Sequence, residues 1–416
     1  MQSLPSLEGV TIAEKRLKGL IRVTPLEFNK RLSNITDSSI FLKREDVQQI
    51  RSFKIRGAYN KISSLDEKDF KNGIICASAG NHAQGFAFSC KKLKINGEVY
   101  MPATTPHQKI SQVRMFGGDY IDIKLVGDTY DACQKVALSA TKNSKKIFIH
   151  PFDDKIVIEG QATIALEMLE QSLRSYDYII VPIGGGGLVS GILTVLKKLS
   201  PNTKVIGVEP EGAPSMKTSI NLGKRISLSE IDGFVDGAAV RQVGKLPFKI
   251  CKDFLDEIIL VPEGKVCQTI LDLYSMDGII AEPAGALAIA ALDILKNIIC
   301  KKHVGVLLCG GNNDVFRMPE IKERALVYGG LKHYFLVDFP QRSGALKQFV
   351  TQILGKNDDI THFEFSKKNF RNNAPAVVGI QLKKAADFQL LVERMKKYNF
   401  HFDYLNDKQS LFQFLI

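Results

Sequence analysis

"YIIVPIGGGGLVSGILTVLKKL", Tyr178 to Leu199, joins a strand, a glycine run and a helix. The β-branched stretch ending at Ile183 predicts a buried strand. From Val189 the apolar residues Val189, Ile192, Leu193 and Leu196 fall at helical spacing. Gly184, Gly185, Gly186 and Gly187 lie between, followed by Leu188. Without Cβ atoms their N–H groups can converge, and the helix behind adds its positive end. The loop is therefore an anion site, most often one for phosphate. No Gly-Lys-Ser/Thr follows, so it is not a Walker loop. It also fails the dinucleotide spacing, because Val189 or Ser190 stands where the third glycine belongs. Glu209, after the next strand, still sits where a ribose-binding acid is expected, which leaves an NAD-dependent oxidoreductase as an alternative on fold alone. A packing loop without ligand is the plainer alternative.

The same strand-to-helix alternation recurs. Gly73–Gly80, Asn96–Pro102, Asp119–Gly127, Lys204–Gly212 and His303–Gly311 read as further strands, each ending in turn-forming residues. Near-continuous Val/Ile runs predict parallel sheets covered on both faces, an α/β protein whose ligands bind at strand carboxyl ends. From about residue 326 the pattern changes. His333–Phe339 reads as a strand, Ser343–Leu354 as a helix, Asp359–Ser366 and Pro375–Lys383 as strands with a turn in "NFRNNA" (Asn369–Ala374), Ala386–Asn399 as a helix, and Phe400, Phe402 and Tyr404 alternate as in a strand. That βαββαβ order is ferredoxin-like. We therefore expect a catalytic region over 1–325, with a smaller subdomain at roughly 46–152, and a second domain over 326–416.

Composition removes other classes. The chain has 416 residues, 45% hydrophobic and 24% charged, with a net charge of +12, an ordinary globular mixture apart from its basic balance. Its lysines are scattered rather than gathered on one stripe with aromatics, which disfavours nucleic acid. The 7 cysteines form no CxxC pairs and the 7 histidines are dispersed. A disulfide framework and a zinc site are thus disfavoured, and no metal is expected. The opening MQSLPSLEGVTIAEKRL lacks a signal-peptide core, and no apolar run reaches the ~18 residues of a membrane span, so a cytoplasmic protein without membrane partners is expected.

Three further stretches carry chemistry. "SFKIRGAYN", Ser52 to Asn60, sets Lys54 between Phe53 and Ile55 at a helix start. Apolar surroundings lower an amine's pKa by disfavouring its charge, although a solvated surface lysine is the ordinary reading of such a nonapeptide. "SAGNHAQG", Ser78 to Gly85, is a strand-end loop whose N–H donors and Asn81 amide suit a carboxylate. Alone, Ser78 reads as a helix cap and His82 as a structural histidine. "LLCGGNND" puts Cys309 at a strand end, where a small core residue is the ordinary reading.

Taken in order, "KREDVQQIRSFKIRGA" (Lys43–Ala58), "SAGNHAQG", "GGGGL", "EPAGA" (Glu282–Ala286) and "CGGN" (Cys309–Asn312) resemble the pyridoxal-phosphate-dependent threonine/serine dehydratases of fold type II. The resemblance implies that Lys54 joins the cofactor covalently and acts as the base. It implies that Gly184 to Gly187 and Leu188 hold the cofactor phosphate, that Asn81 meets the ring hydroxyl, and that Cys309 faces the pyridine nitrogen. Ser78, Ala79, Gly80, Asn81 and His82 would receive the substrate carboxylate. A neutral thiol at the ring nitrogen favours prompt loss of a β-substituent. Glu282 shapes the site or is a structural carboxylate.

"FPQRSGAL", Phe339 to Leu346, resembles the ligand loop of the ACT-like domain in the biosynthetic branch of that family. A single such domain implies the short form, a homotetramer, and control by isoleucine or valine through Arg342, Ser343, Gly344, Ala345 and Leu346. Ser343 stands where the family usually has proline. The expected activity is conversion of L-threonine to 2-oxobutanoate and ammonia. Serine dehydratase, serine racemase and cysteine or cystathionine synthases share the fold, and an amino-acid sensor built on 333–416 is a non-catalytic alternative.

Overall fold

The computed structural model describes residues 3–340, 342–365 and 373–408. Of the turn expected at Asn369–Ala374, residues 369–372 lie outside the described residues, and Asn373 and Ala374 begin the strand Asn373–Gln381. The chain divides into two compact units, one of Met1–Glu263 with Leu273–Asp314, the other of Gly264–Asp272 with Val315–Ile416.

The first unit opens with strands β1 (Leu26–Phe28) and β2 (Ser39–Arg44). Strands β3 (Ile74–Ala77), β4 (Gly97–Met101), β5 (Ile121–Leu125) and β6 (Ile147–Phe148) follow, and they form a separate parallel sheet in the order β5-β4-β3-β6. Strands β7 (Tyr178–Pro182), β8 (Lys204–Pro210), β9 (Glu257–Val261) and β10 (His303–Leu308) join the first pair in a six-stranded sheet, β1-β2-β10-β7-β8-β9. Only the β1–β2 pairing is antiparallel. Every residue of β10 is buried, as a central parallel strand with helices on both faces requires.

All six expected strands of this unit are present, and β1, β2, β6 and β9 are additional. Strand β2 escapes a hydropathy reading because "SIFLKR" ends in two basic residues. Lys43 is nonetheless fully buried there, donating to Glu167 Oε2 at 2.6 Å, Thr24 O at 2.7 Å and Gln171 Oε1 at 2.9 Å. Glu167 also pairs with Arg56, whose guanidinium is held from the other side by Glu45. A fully bonded network makes burial of these charges tolerable.

The smaller sheet sits over a core of Ile74, Cys76, Phe86, Val99 and Met101. Its helix Asn81–Leu93 crosses the helix Lys54–Ile62 closely: a Cβ on Gly85 would lie 3.2 Å from the Ile55 nitrogen and the Lys54 carbonyl. Gly85 thus lets two helix starts approach each other.

In the second unit, β11 (Lys332–Pro340), β12 (Asp359–Phe365), β13 (Asn373–Gln381) and β14 (His401–Tyr404) form an antiparallel sheet, β12-β13-β11-β14. Helices Ala345–Gln352 and Asp387–Lys397 complete the βαββαβ order, over a core including Phe335, Phe349, Val378 and Leu391. The first of these helices starts two residues later than expected, because Gly344 adopts φ +83°, a left-handed conformation that cannot continue back into helix.

Candidate active site

Lys54 is the first residue of its helix, and the turn before it is strapped to the end of β10. Phe53 N–H donates to Cys309 O at 3.2 Å, Gly311 N–H to Arg51 O at 2.9 Å, and Ser52 bridges to Gly310. The amine donates to Pro151 O at 3.1 Å and lies 5.2 Å from the centre of the Phe53 ring. Burial lowers its pKa to about 8, against the opposing fields of Cys309 and Glu282. Roughly a tenth of the amine is therefore neutral and nucleophilic at pH 7, far more than for an ordinary lysine.

Behind the lysine lies a recess lined by Gly184, Gly185, Gly186, Gly187, Leu188, Phe152 and Cys309. Gly186 has φ +89° and precedes the helix Gly187–Leu199, whose first N–H groups have no acceptor within the helix. A Cβ on Gly185 would come within 2.3 Å of the Phe152 ring. The loop is glycine because the backbone itself has to form the wall.

The recess opens into a cavity of about 660 Å³, which Lys54, Ser78, Ala79, Gly80, Asn81, His82, Glu282, Cys309 and Asn312 all border. Asn81 opens its helix, with Gly80 at the cap position. Ser78 is not that cap: its Oγ accepts from Gly80 N–H at 3.2 Å inside the loop. His82 Nε2 meets Ile149 O at 3.0 Å, while its Nδ1 is buried without a partner. Burial, followed by the Lys54 charge, lowers the His82 pKa to about 3, so the imidazole is neutral. Cys309 Sγ donates to Ala284 O at 3.3 Å, and burial followed by the field of Glu282 pushes its thiol well above the ordinary range, so it too is neutral.

Glu282 caps the helix Pro283–Ala290 and receives the Asn81 amide on Oε1 at 2.5 Å. Burial, then the charge of Asp236, raises its pKa to about 7, against the Asn81 hydrogen bond and Lys109.

Glu209, considered above as a ribose-binding acid, has a different task. Its carboxylate accepts from Met216 N–H at 2.7 Å and Lys217 N–H at 2.9 Å, holding the start of the helix Ser215–Asn221. Both oxygens are used, which removes the main support for a dinucleotide reading. Phe152, Pro151 and Asn312 are the residues whose part in the site the sequence alone did not single out. The first two follow the two-residue strand β6, which has no pattern to flag it.

Arg342, Ser343, Gly344, Ala345 and Leu346 belong to the second unit. Ala345 is buried, Arg342, Ser343 and Leu346 are exposed, and Arg342 Nη2 donates to Gln348 Oε1.

Residues 17–310 match the family model described as pyridoxal-phosphate dependent enzyme. The chain belongs to the pyridoxal-phosphate-dependent enzymes. Residues 323–415 match the model of the C-terminal regulatory domain of threonine dehydratase. Among relatives of this pyridoxal-phosphate enzyme, the L-threonine dehydratase biosynthetic IlvA of Halalkalibacterium halodurans is 50% identical over 410 residues, 99% of both chains. Among solved structures, the processed form of threonine deaminase isoform 2 from Solanum lycopersicum aligns with a TM-score of 0.72 at 37% identity, over 79% of this chain and 91% of that one. Maize serine racemase aligns with a TM-score of 0.72 at 28% identity, over 78% and 99%.

The residues present fit the cofactor. An anion cradle that a Cβ would fill, a partly neutral lysine, a neutral thiol and a carboxamide border two adjoining spaces that share Lys54, Phe152, Gly185 and Cys309. They answer to the phosphate, aldehyde, pyridine nitrogen and phenolic oxygen of pyridoxal phosphate.

Proposed function

We infer that the protein is an L-threonine ammonia-lyase that converts L-threonine to 2-oxobutanoate and ammonia, the entry to isoleucine synthesis. The observation that carries this is full-length similarity at 50% identity to a biosynthetic L-threonine dehydratase, regulatory domain included, on a chain that keeps the lysine cavity intact.

Bound pyridoxal phosphate supplies an electron sink for removal of the α-proton and loss of the β-hydroxyl. The remaining work falls to the chain. The N–H groups of Gly184 to Gly187 and Leu188 would hold the phosphate, and Lys54 would hold the aldehyde carbon. In the Ser78–His82 turn the Ser78 N–H goes to Tyr100 O and the Gly80 N–H to Ser78 Oγ, so the N–H groups of Ala79, Asn81 and His82 would receive the substrate carboxylate. Lys54 Nζ would be the base that takes the substrate's α-proton. Its lowered pKa leaves it neutral often enough to do so. Cys309 would place an uncharged thiol against the ring nitrogen, and Asn81 would meet the ring oxygen.

Isoleucine or valine is the proposed effector, bound at Arg342 to Leu346 in the domain from residue 326 onward. A cytoplasmic homotetramer is proposed on the family resemblance alone, and sedimentation velocity tests the assembly. The activity test is ammonia and 2-oxobutanoate release by the purified protein loaded with pyridoxal phosphate. L-Threonine should be turned over faster than L-serine. Formation of D-serine from L-serine in place of ammonia would assign the protein to the racemases instead.

A further inference from the structure

Carboxamides do not reveal which end is oxygen, but a chain of them anchored on an unambiguous group does. Here the anchor is the Ile50 carbonyl, four residues before Lys54, which can only accept. Asn312 Nδ2 lies 2.8 Å from it and is thereby fixed as the donor end. Its two hydrogens serve Ile50 O and, at 2.7 Å, Asn81 Oδ1, while Gln84 Oε1 at 3.1 Å is the longest of the three contacts and can only share one of them. Asn81 must then turn its own NH2 the other way, where it donates to Glu282 Oε1 at 2.5 Å. Gln84 likewise directs its NH2 to Gln112 Oε1 at 2.9 Å. The Asn81 orientation follows from the first.

Asn312 therefore does two things. It joins the helix start carrying Asn81 to the Lys54 turn and to the loop that follows Cys309, and it decides that Asn81 offers the cavity an NH2 and not an oxygen. One hydrogen of the Asn81 NH2 is used by Glu282, and no protein acceptor takes the other among the described residues. That hydrogen is available to an oxygen in the cavity.

We propose that Asn312 is a positioning residue for the reaction, setting the donor orientation of Asn81 toward the cofactor through its bond to the Ile50 carbonyl. The proposal rests on the dehydratase reading for its kinetics but not for its spectroscopy.

Asn312→Asp tests it, because aspartate keeps the shape and removes the donor. The substituted carboxylate can only accept, so Asn81 keeps a bond to it by turning its NH2 that way and its oxygen to Glu282, whose carboxyl then takes up a proton. Asn312→Ala only deletes the tether. If orientation matters, the full-length Asn312→Asp variant loaded with pyridoxal phosphate shows a displaced cofactor absorbance band. Its kcat for threonine falls roughly 10- to 100-fold with a smaller change in KM, and Asn312→Ala retains more activity. Thermal melting of the cofactor-free proteins checks that both fold. An unmoved band in Asn312→Asp with kcat/KM within about twofold of wild type overturns the proposal. So does a loss that follows melting temperature, with the alanine variant equal to or worse than the aspartate one. If wild type itself released no ammonia from threonine, the dehydratase reading would fail, while the absorbance comparison would still decide the role of Asn312.

Discussion

The Lys54 amine donates to the Pro151 carbonyl at 3.1 Å, one residue from His150, whose Nδ1 accepts from Asp153 N–H at 2.8 Å. The lysine thus meets a carbonyl dipole and a neutral ring, the His150 pKa being lowered by burial to about 4. Among the described residues no carboxylate bonds the amine directly, so desolvation dominates and its pKa falls to about 8. Between that value and the ordinary 10.5 the folded protein binds fewer protons at this site than the unfolded chain. The lysine's stability contribution therefore rises with pH across roughly 8 to 10.5 and is a penalty below about 8. Lys54→Met should stabilise the cofactor-free protein at pH 7 by roughly 1–3 kcal/mol and abolish turnover. Urea unfolding at pH 7 and pH 10 reads the first effect, with the gain shrinking at the higher pH. Stopped-flow uptake of pyridoxal phosphate by wild type should quicken about tenfold per pH unit below 8 and level off above it. Borohydride reduction followed by peptide mapping should find the cofactor on Lys54.

The glycine wall gives the second prediction. In Gly185→Ala the new methyl group meets the Phe152 ring, and overpacking of this kind costs about 1–3 kcal/mol. Because the strain falls on the phosphate cradle, cofactor affinity should drop roughly 5- to 150-fold in fluorescence titration. Gly185→Ala with Phe152→Ala should recover part of that affinity. If the double variant binds no better than the single, the clash is not the cause.

Glu209 gives the third. Its buried carboxylate is raised to about 7, mainly by desolvation, with the Lys217 and Met216 N–H bonds opposing. A raised carboxyl pKa means that the fold binds the extra proton, so this group's contribution to stability declines as pH climbs from about 4.5 through 7. Glu209→Ala leaves two helix N–H groups unsatisfied and should cost about 1–3 kcal/mol at pH 5, less at pH 8. Cofactor affinity should stay within about threefold of wild type. A selective loss of nucleotide binding with unchanged melting would restore the ribose-binding reading.

What the sequence disclosed follows from the range of the interactions involved. Strand β7, the glycine loop and the helix behind it are adjacent in the chain, so hydropathy and turn chemistry sufficed. Lys54 and Cys309 were legible as members of ordered motifs, but their common cavity depends on the strap between Phe53 and Cys309, far apart in sequence. Strand β2 was hidden because Lys43 looks solvent-facing until Glu167 and Gln171 are folded against it. Asn312 was quoted within "CGGN" yet had no visible task. Its role appears only when Ile50, Asn81 and Gln84 meet its side chain.

The last prediction concerns control through the second unit. Gly344 holds φ +83° at the start of the helix Ala345–Gln352, with Arg342 turned onto Gln348 and Ala345 buried beneath. A β-branched residue at that φ is strained, so Gly344→Val should deform the turn on which the proposed effector depends. Coupling between effector and substrate sites of about 1–3 kcal/mol corresponds to a 5- to 150-fold change in threonine affinity. Wild type should therefore show threonine saturation curves displaced to higher concentration by millimolar isoleucine, with valine as the comparison. Gly344→Val should need at least tenfold more isoleucine for the same displacement, while its curve without effector serves as the control. Replacing Ser343 by proline fixes φ near −65° and removes one N–H, which should stiffen the turn and move the isoleucine response in the opposite direction. If neither amino acid displaces the wild-type curve at millimolar concentration, the Arg342 to Leu346 turn is not an effector site. If the displacement occurs but survives Gly344→Val unchanged, the effector binds elsewhere on the chain.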